Sequence, residues 1–342
     1  MNGSSNQTSD GVPRLPLAEL HIHLEGAVPW ETIRQLHPEG HGLPIHPPWL
    51  AKARGMDFAT FERIFDVFVR PAMATSAAVE QATIDTLSSL VIQGVRYVEL
   101  SVAVRFYRSP GCGLIEALKA VGRARRWAQE QSDIVVRFVA GFNRQEKLPN
   151  AMRQLRAIED LIDGGGRIID AIDLHGDETL NDGSHLAPLF RAADRCALRT
   201  KAHAGEHGDA ANVRTALRHL GVRHICHGVR AIGSAEVMAL VREYGAYLHV
   251  CPTANRLLRV RGTEPDALLP LLLNSGCQFT LNSDDPMIFG CSVRSEYASA
   301  VRNPRVGIAG VGAVARTAFR AALVEDCWRR KVLEDLETIL SR

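Results

Sequence analysis

Two histidines, His21 and His23, stand two residues apart inside an apolar run at 17–26 (LAELHIHLEG). In a strand, residues i and i+2 point to the same side, so both imidazoles can reach one point. Imidazole suits zinc, and a catalytic zinc keeps a position open for water. H-x-H alone is read equally well as two core histidines satisfied by hydrogen bonds. Further along come His203 and Glu206 in 203–208 (HAGEHG), His227 in 226–228 (CHG), and Asp284 with Asp285 in 282–286 (NSDDP). Each has a plain structural reading: His203 as a helix cap, Glu206 as a solvated acid in a Gly-flanked turn, His227 as a buried histidine bonded to a carbonyl, and the Asp pair as a capping turn before Pro286. Adjacent carboxylates at a buried strand end are costly without a cation. Taken together, His21, His23, His203 and Asp284 therefore point to a bound metal ion.

The elements that must position these residues are β-rich runs at 17–22, 95–102, 134–142, 168–174, 198–203, 222–227, 246–251 and 277–283. Helical spacing separates most of them, as in 151–162 (AMRQLRAIEDLI) and 212–220 (NVRTALRHL). Strand, helix, strand at this tempo reads as parallel β/α units, and eight of them as a closed (β/α)8 TIM barrel. Functional groups of such a barrel sit at the carboxyl ends of strands. His21 and His23, then 174–178 (LHGDE), HAGEHG, CHG and NSDDP fall at the ends of the first, fourth, fifth, sixth and eighth runs.

About seventy residues separate the first two runs, beyond an ordinary crossover. They include 37–50 (HPEGHGLPIHPPWL) and a helical stretch at 58–73 (FATFERIFDVFVRPAM), read as a helical insertion over the barrel mouth. Phe61, Phe65 and Phe68 share a helix face. That stripe reads first as core packing; the alternative is that at least one of them covers a substrate. His37, His41 and His46 read as solvated loop residues, and His175 and His207 as candidates for the rim. Helical patterns at about 293–301 and 312–341 read as extra C-terminal helices on the outside of the barrel. The polar opening, 1–14, reads as a disordered tail and 15–342 as a single domain.

Composition narrows the function classes. With 46% hydrophobic and 23% charged residues the chain can bury a large core. A formal net charge of +2 argues against a nucleic-acid partner, and the run 123–127 (RARRW) reads as the wet face of a helix. The seven cysteines are scattered and form no C-x-x-C pair, so reduced thiols in a cytoplasmic protein are expected rather than a disulfide framework. No apolar run is long enough to span a membrane. The expected partner is a small molecule, and nothing in the pattern fixes an oligomeric state.

The set ELHIHLEG, DLHGDE, HAGE, CHG, CP-x-x-N and LNSDDP, in that order between Glu19 and Pro286, resembles the adenosine deaminase family, a branch of the metal-dependent amidohydrolase barrels. The resemblance implies one Zn2+ per chain, held by His21, His23, His203 and Asp284. It implies Glu206 as the acid that protonates purine N1, and His227 as the group that orients and helps deprotonate the attacking water. It places Asp285 against N7, the backbone N–H of Gly176 against N3, and Glu25 by the sugar or its replacement. Phe61 and Phe65 are candidate substrate contacts on their shared helix face alone. The implied reaction is hydrolysis of a 6-aminopurine compound (adenosine, adenine or a modified adenine nucleoside) to the 6-oxo product and ammonia. The cytidine-type deaminases carry P-C-x-x-C, which this chain lacks. Some positions depart from the family's usual pattern: Glu25 where adenosine deaminases show Asp, Ser101 where Arg is common, and Cys226 where Gly is usual. They keep open a same-fold enzyme for another heterocycle or specialised metabolite, or a deaminase-like binding protein.

Overall fold

The computed structural model describes residues 14–50, 55–163, 166–260 and 265–341. The expected tail lies outside the described residues except for Arg14, which is exposed. Eight parallel strands form one sheet: β1 (Leu17–His23), β2 (Val95–Ala103), β3 (Val135–Asn143), β4 (Ile169–His175), β5 (Arg199–Ala204), β6 (His224–His227), β7 (Tyr247–Val250) and β8 (Gln278–Leu281). Helices cover the sheet's outer face, so strands are buried on both sides. This explains near-continuous apolar runs such as Val95, Tyr97, Val98, Leu100 and Val102, all at most 2% exposed. Every expected run is a strand, with ends shifted by one or two residues.

The sheet closes into a barrel by a single bridge between β1 and the residues after β8. Ile22 pairs with Asp284, the Asp284 N–H donates to His21 O (3.0 Å), and the His23 N–H donates to Asp284 O (2.9 Å). Lower on the seam the Asn282 side chain replaces a backbone partner, accepting from the Leu20 N–H at 2.9 Å. A different device serves β4 and β5, which pair only at Ala171–Arg199 and Ile172–Thr200. Above that pairing Arg144, 1% exposed, donates to the carbonyls of Gly176 (3.0 Å), Asn181 (3.0 Å) and His203 (2.7 Å). Its guanidinium holds the splayed strand ends apart at a fixed width.

The insertion after β1 contains helices Leu24–Ala27, Trp30–Leu36 and Phe58–Ile64, a π-helical turn at Phe65–Val69, and the crossover helix Ser76–Ile92. Asp57 caps Phe58–Ile64 by accepting from the Thr60 N–H at 2.7 Å. His37 is not solvated: it is buried, its Nδ1 accepts from the Glu39 N–H (3.1 Å) and its Nε2 donates to Val67 O (3.2 Å), which ties the lid's π turn to the preceding loop. His46 is exposed, as expected. Arg125 departs from the expected wet helix face, because it turns inward to Asp170 (3.2 Å) and the carbonyls of Arg167 and Ile168. The C-terminal stretch is three helices rather than two: Val293–Arg302, Gly307–Ala321 and Asp326–Leu340. The middle one packs on β8 and β1 and so covers the closing seam. All seven cysteines are unpaired. No described helix is long and apolar enough to cross a membrane.

A charged group sits in the barrel interior. Glu99 accepts from Lys201 Nζ (2.7 Å), Arg199 Nη1 (3.1 Å) and Tyr97 Oη (2.7 Å). Burial pushes its carboxyl up, but Lys201 and Arg199 outweigh this and hold it at about 2 against an ordinary 4.5. A carboxyl depressed by folding stabilises above its unfolded value, and that stabilisation is lost as pH falls toward the folded one. Between pH 4.5 and 2 the protein should therefore lose on the order of 3 kcal/mol from this group. Urea unfolding of Glu99→Gln should show a lower midpoint at pH 7 and a shallower loss on acidification than wild type.

Candidate active site

The closing seam builds the centre of the site. Because Ile22 pairs with Asp284, the side chains flanking that bridge, His21 and His23, meet the Asp284 carboxylate. His203 joins them from the end of β5. Nε2 of His21 lies 3.1 Å from Nε2 of His203, which lies 3.3 Å from Nε2 of His23; Asp284 Oδ1 is 3.3 Å from Nε2 of both His21 and His23. The outward nitrogens are already committed. His21 Nδ1 donates to His249 O (3.1 Å) and His203 Nδ1 to Asp173 Oδ1 (3.3 Å). Burial pushes Asp173 up, but His203 and His175 hold its carboxyl well below the usual range, so it is an anionic acceptor.

With the protons on Nδ1, two Nε2 lone pairs face one another beside a carboxylate, which is repulsive unless a cation lies between them. Donors spaced at 3.1–3.3 Å place a common centre about 2 Å from each, the zinc–imidazole bond length. The residues present fit a mononuclear zinc site. Asp284 also holds a left-handed backbone (φ 65°), as does His227 (φ 62°). Such non-glycine strain costs about 1–3 kcal/mol and persists where surrounding structure enforces it.

Beside this cluster lie an acid and a base. Glu206 follows β5 in a turn made possible by Gly205 (φ 71°). The turn is clamped by Glu178, whose carboxylate accepts from the N–H groups of Gly205 and Glu206, both at 2.7 Å, and from Asn212 Nδ2 at 3.0 Å. Burial, with Asp284, Glu178 and Asp285 adding to it, pushes the Glu206 carboxyl well above the usual range. Burial likewise pushes His227 well below its ordinary value. Glu206 Oε2 is 3.4 Å from His227 Nε2, so a carboxyl pushed up by burial stands next to an imidazole that burial pushes down.

The cluster opens on a cavity of about 150 Å³. His23, His203 and Asp284 line it together with Glu206, His227, Asp285, Glu25 and Gly176. The oxygen Oδ1 of Asp285 is buried with no hydrogen-bond partner, and burial pushes this carboxyl well above the usual range. Burial thus favours its protonated form, and Oδ1 has no hydrogen-bond partner among the described residues. Gly26 makes room for it, since a Cβ there would overlap Asp285 Oδ1. Gly26→Ala should therefore displace Asp285 and lower kcat/KM at least tenfold, about the worth of one lost hydrogen bond to a charged or strongly polar group. Bound zinc should stay unchanged by elemental analysis. Glu25 is buried and fixed by the Ala103 N–H, which donates to its Oε1 at 3.0 Å.

Aromatic side chains of the insertion roof the cavity. Phe61 and Phe65 line it, and so does Phe58, which carries no sequence expectation. Phe68 faces away and packs on Trp30 and Trp49, ring centres 5.7 and 5.2 Å apart. At the mouth Arg105 pairs with Glu62 (2.7 Å) and Arg70 with Asp66 (3.1 Å). His175 and His207 both reach the cavity. Two unusual residues act behind it: Ser101 Oγ lies 3.1 Å from His175 Nε2, and Cys226 Sγ donates to Asp173 Oδ2 at 3.3 Å.

His21, His23, His203 and Asp284 thus form the four-donor cluster, and Glu25, Phe61, Phe65, Gly176, Glu206, His227 and Asp285 line the cavity, whereas Phe68 does not. The supporting residues Asp173, Glu178, Arg144 and Asn255 escaped that reading. Asp173, Glu178 and Asn255 lie inside the DLHGDE and CP-x-x-N stretches, and strand alternation places Asp173 on the same face as His175. Arg144 has no such signal.

Residues 16–339 match the family described as adenosine deaminase. Similar proteins include an adenine deaminase of Streptomyces coelicolor, 31% identical over 323 residues that cover 93% of each chain. An aminodeoxyfutalosine deaminase of Streptomyces avermitilis is 27% identical, covering 95% of this chain and 91% of that one. Among solved structures, the adenine deaminase of Arthrobacter aurescens superposes with a TM-score of 0.85 at 26% identity, over 96% of this chain and all of the other.

Proposed function

Since the chain belongs to the adenosine deaminase family and is thereby a hydrolytic deaminase, we propose that it converts adenine to hypoxanthine and ammonia, with one zinc ion per chain. The observation that carries this reading is the convergence of a cation-demanding donor set, the Glu206 carboxyl and the His227 imidazole on one small cavity. Adenine as the substrate is supported by the relatives named for it.

His21, His23, His203 and Asp284 would hold the zinc. A zinc ion supplies the nucleophile these side chains lack, because it lowers the pKa of water from ~15.7 to about 7. The side chains do the rest. Water adds to C6, and the ring electrons move to N1. Glu206 delivers its proton there, so the dearomatised ring need not carry the charge. His227 takes the proton released by the water. Ammonia leaves from C6 when N6 takes the proton held by His227, and the C6 hydroxyl returns its proton to Glu206, which gives the 6-oxo ring and restores both side chains. Asp285, kept protonated by burial, can donate to N7, a pure acceptor; an ionised carboxylate there would repel that lone pair. Gly176 offers its backbone N–H to N3, and Phe61 and Phe65 cover the ring. The same proposal treats 15–342 as one catalytic domain and, from its unpaired cysteines, a reducing cytoplasm as its setting.

A second reading, an adenine nucleoside with a modified substituent, is favoured by the charged mouth formed by Arg105, Glu62, Arg70 and Asp66. Ammonia release from adenine, adenosine, deoxyadenosine, AMP, N6-methylated purines and aminodeoxyfutalosine separates the two. Adenine is expected to give the highest kcat/KM. A nucleoside ahead of adenine by tenfold or more would select the second reading.

A further inference from the structure

The lining of the cavity grades from buried to exposed. The side chains of Asp284 and His23 are 5% and 13% exposed, whereas those of Arg105 and Glu62, which line the same cavity, are 38% and 41% exposed. In the orientation proposed above, C6 meets the metal donors, N7 meets Asp285 and N3 meets Gly176. On a purine, N9 lies on the far side of the double ring from C6. Whatever N9 carries therefore leaves toward the mouth, where the charged side chains stand.

The two mouth cations are not equivalent. Arg70 is tied down: it donates to Asp66 Oδ1 (3.1 Å) and to the Phe106 carbonyl, and its guanidinium lies over the Phe106 ring, 4.4 Å from the centre. Arg105 donates to Glu62 Oε2 at 2.7 Å, the one contact of its guanidinium among the described residues. Glu62 belongs to the lid helix Phe58–Ile64, and Arg105 follows β2. An ion pair this exposed contributes little to stability, so it does not lock the lid. What it sets is the charge a substituent meets. A guanidinium is the preferred fork for a phosphate, and here a carboxylate already fills it. A phosphate monoester carries about −1.5 to −2 at neutral pH, so it would meet Glu62 as a like charge.

We propose that Glu62 is a specificity-determining residue that keeps purines with an anionic N9 substituent, nucleotides above all, out of the site: it occupies the Arg105 guanidinium and sets a carboxylate of its own beside the path. Uncharged purines pass this pair without penalty. The inference rests on the purine deamination proposed above and adds the residue that sorts its substrates by charge.

The test is calorimetric titration of zinc-loaded protein with inosine and with inosine 5′-monophosphate, two non-reacting ligands that differ only by the phosphate. The ratio of their Kd values within one protein cancels any change in folding or zinc content. In wild type the monophosphate should bind no tighter than inosine. Glu62→Gln keeps the shape and removes the charge, and should shift the ratio at least about tenfold toward the monophosphate, the worth of one hydrogen bond between charged groups. Adding Arg105→Gln to that variant should return the ratio to within about threefold of wild type. A wild-type enzyme that already prefers the monophosphate by about tenfold overturns the proposal. So does a ratio that Glu62→Gln leaves unmoved, or a gain that survives in the double variant. Where inosine binds too weakly to fix its Kd, binding of the monophosphate must still appear in Glu62→Gln and vanish in the double variant, and its failure to do so also overturns the proposal. Silence of every purine in the turnover screen would overturn the deamination reading and this proposal with it, whereas an active deaminase with an unmoved ratio overturns this proposal alone.

Discussion

Glu206→Gln should lower kcat by ~10²–10⁴-fold, the worth of a positioned general acid. The argument rests on what the substitution keeps. Gln has the same shape, can still accept the Glu178-clamped turn, and can still donate a hydrogen bond toward N1. What it lacks is a transferable proton. The loss should therefore fall equally on kcat and kcat/KM, the signature of an interaction made only in the transition state. KM and zinc content should stay near wild type. The substitution also removes a buried acid that burial and the carboxylates of Asp284, Glu178 and Asp285 push far up. The Gln enzyme should consequently be no less stable to urea than wild type. Steady-state kinetics of the two proteins, with zinc measured on the same samples, checks both statements. Activity within about tenfold of wild type would remove Glu206 from the proton path.

Removing a metal donor should be more damaging still. His203→Ala takes away one corner of the donor set and removes the imidazole partner of Asp173 Oδ1 behind it. Changes to residues behind metal ligands typically cost 10–100-fold in metal affinity or activity, so loss of the donor itself should exceed this range. Zinc per chain should drop to a small fraction of the wild-type content and deamination to background. A chelator should do the same to the wild-type enzyme, reversibly, with activity returning on added zinc. Stability follows by linkage: an ion present at 1,000 times its Kd stabilises the folded state by about 4 kcal/mol. Chelated wild-type protein should melt lower than the loaded form, while His203→Ala should melt at one temperature with or without zinc.

Much of the fold is legible in the sequence because its physics is local. Strands covered on both faces must be apolar along their length, so the eight runs stand out, and their spacing gives the parallel barrel. The cluster is legible for a related reason: alternation puts His21 and His23 on one face, and the strand ends place the other groups on one rim. The less legible features depend on long-range packing. Arg144 bridges three carbonyls contributed by distant turns, and nothing near it in the chain marks it as buried. His37 lies in a Pro/Gly-rich loop that reads as solvated, yet it is buried because the lid folds back to offer Val67 O. Phe61, Phe65 and Phe68 share helical spacing, but the π turn at Phe65–Val69 shifts the register. Phe68 then joins the tryptophans while the other two roof the cavity.

The account depends most on a single cation held where the β1–β8 seam closes. Anomalous diffraction at the zinc edge, on crystals of protein purified without chelator, tests this most directly. One peak per chain is expected, about 2 Å from Nε2 of His21, His23 and His203 and from Asp284 Oδ1, the distance zinc takes to such donors. A fully active enzyme with no peak at that position, or with a metal bound elsewhere, would contradict it.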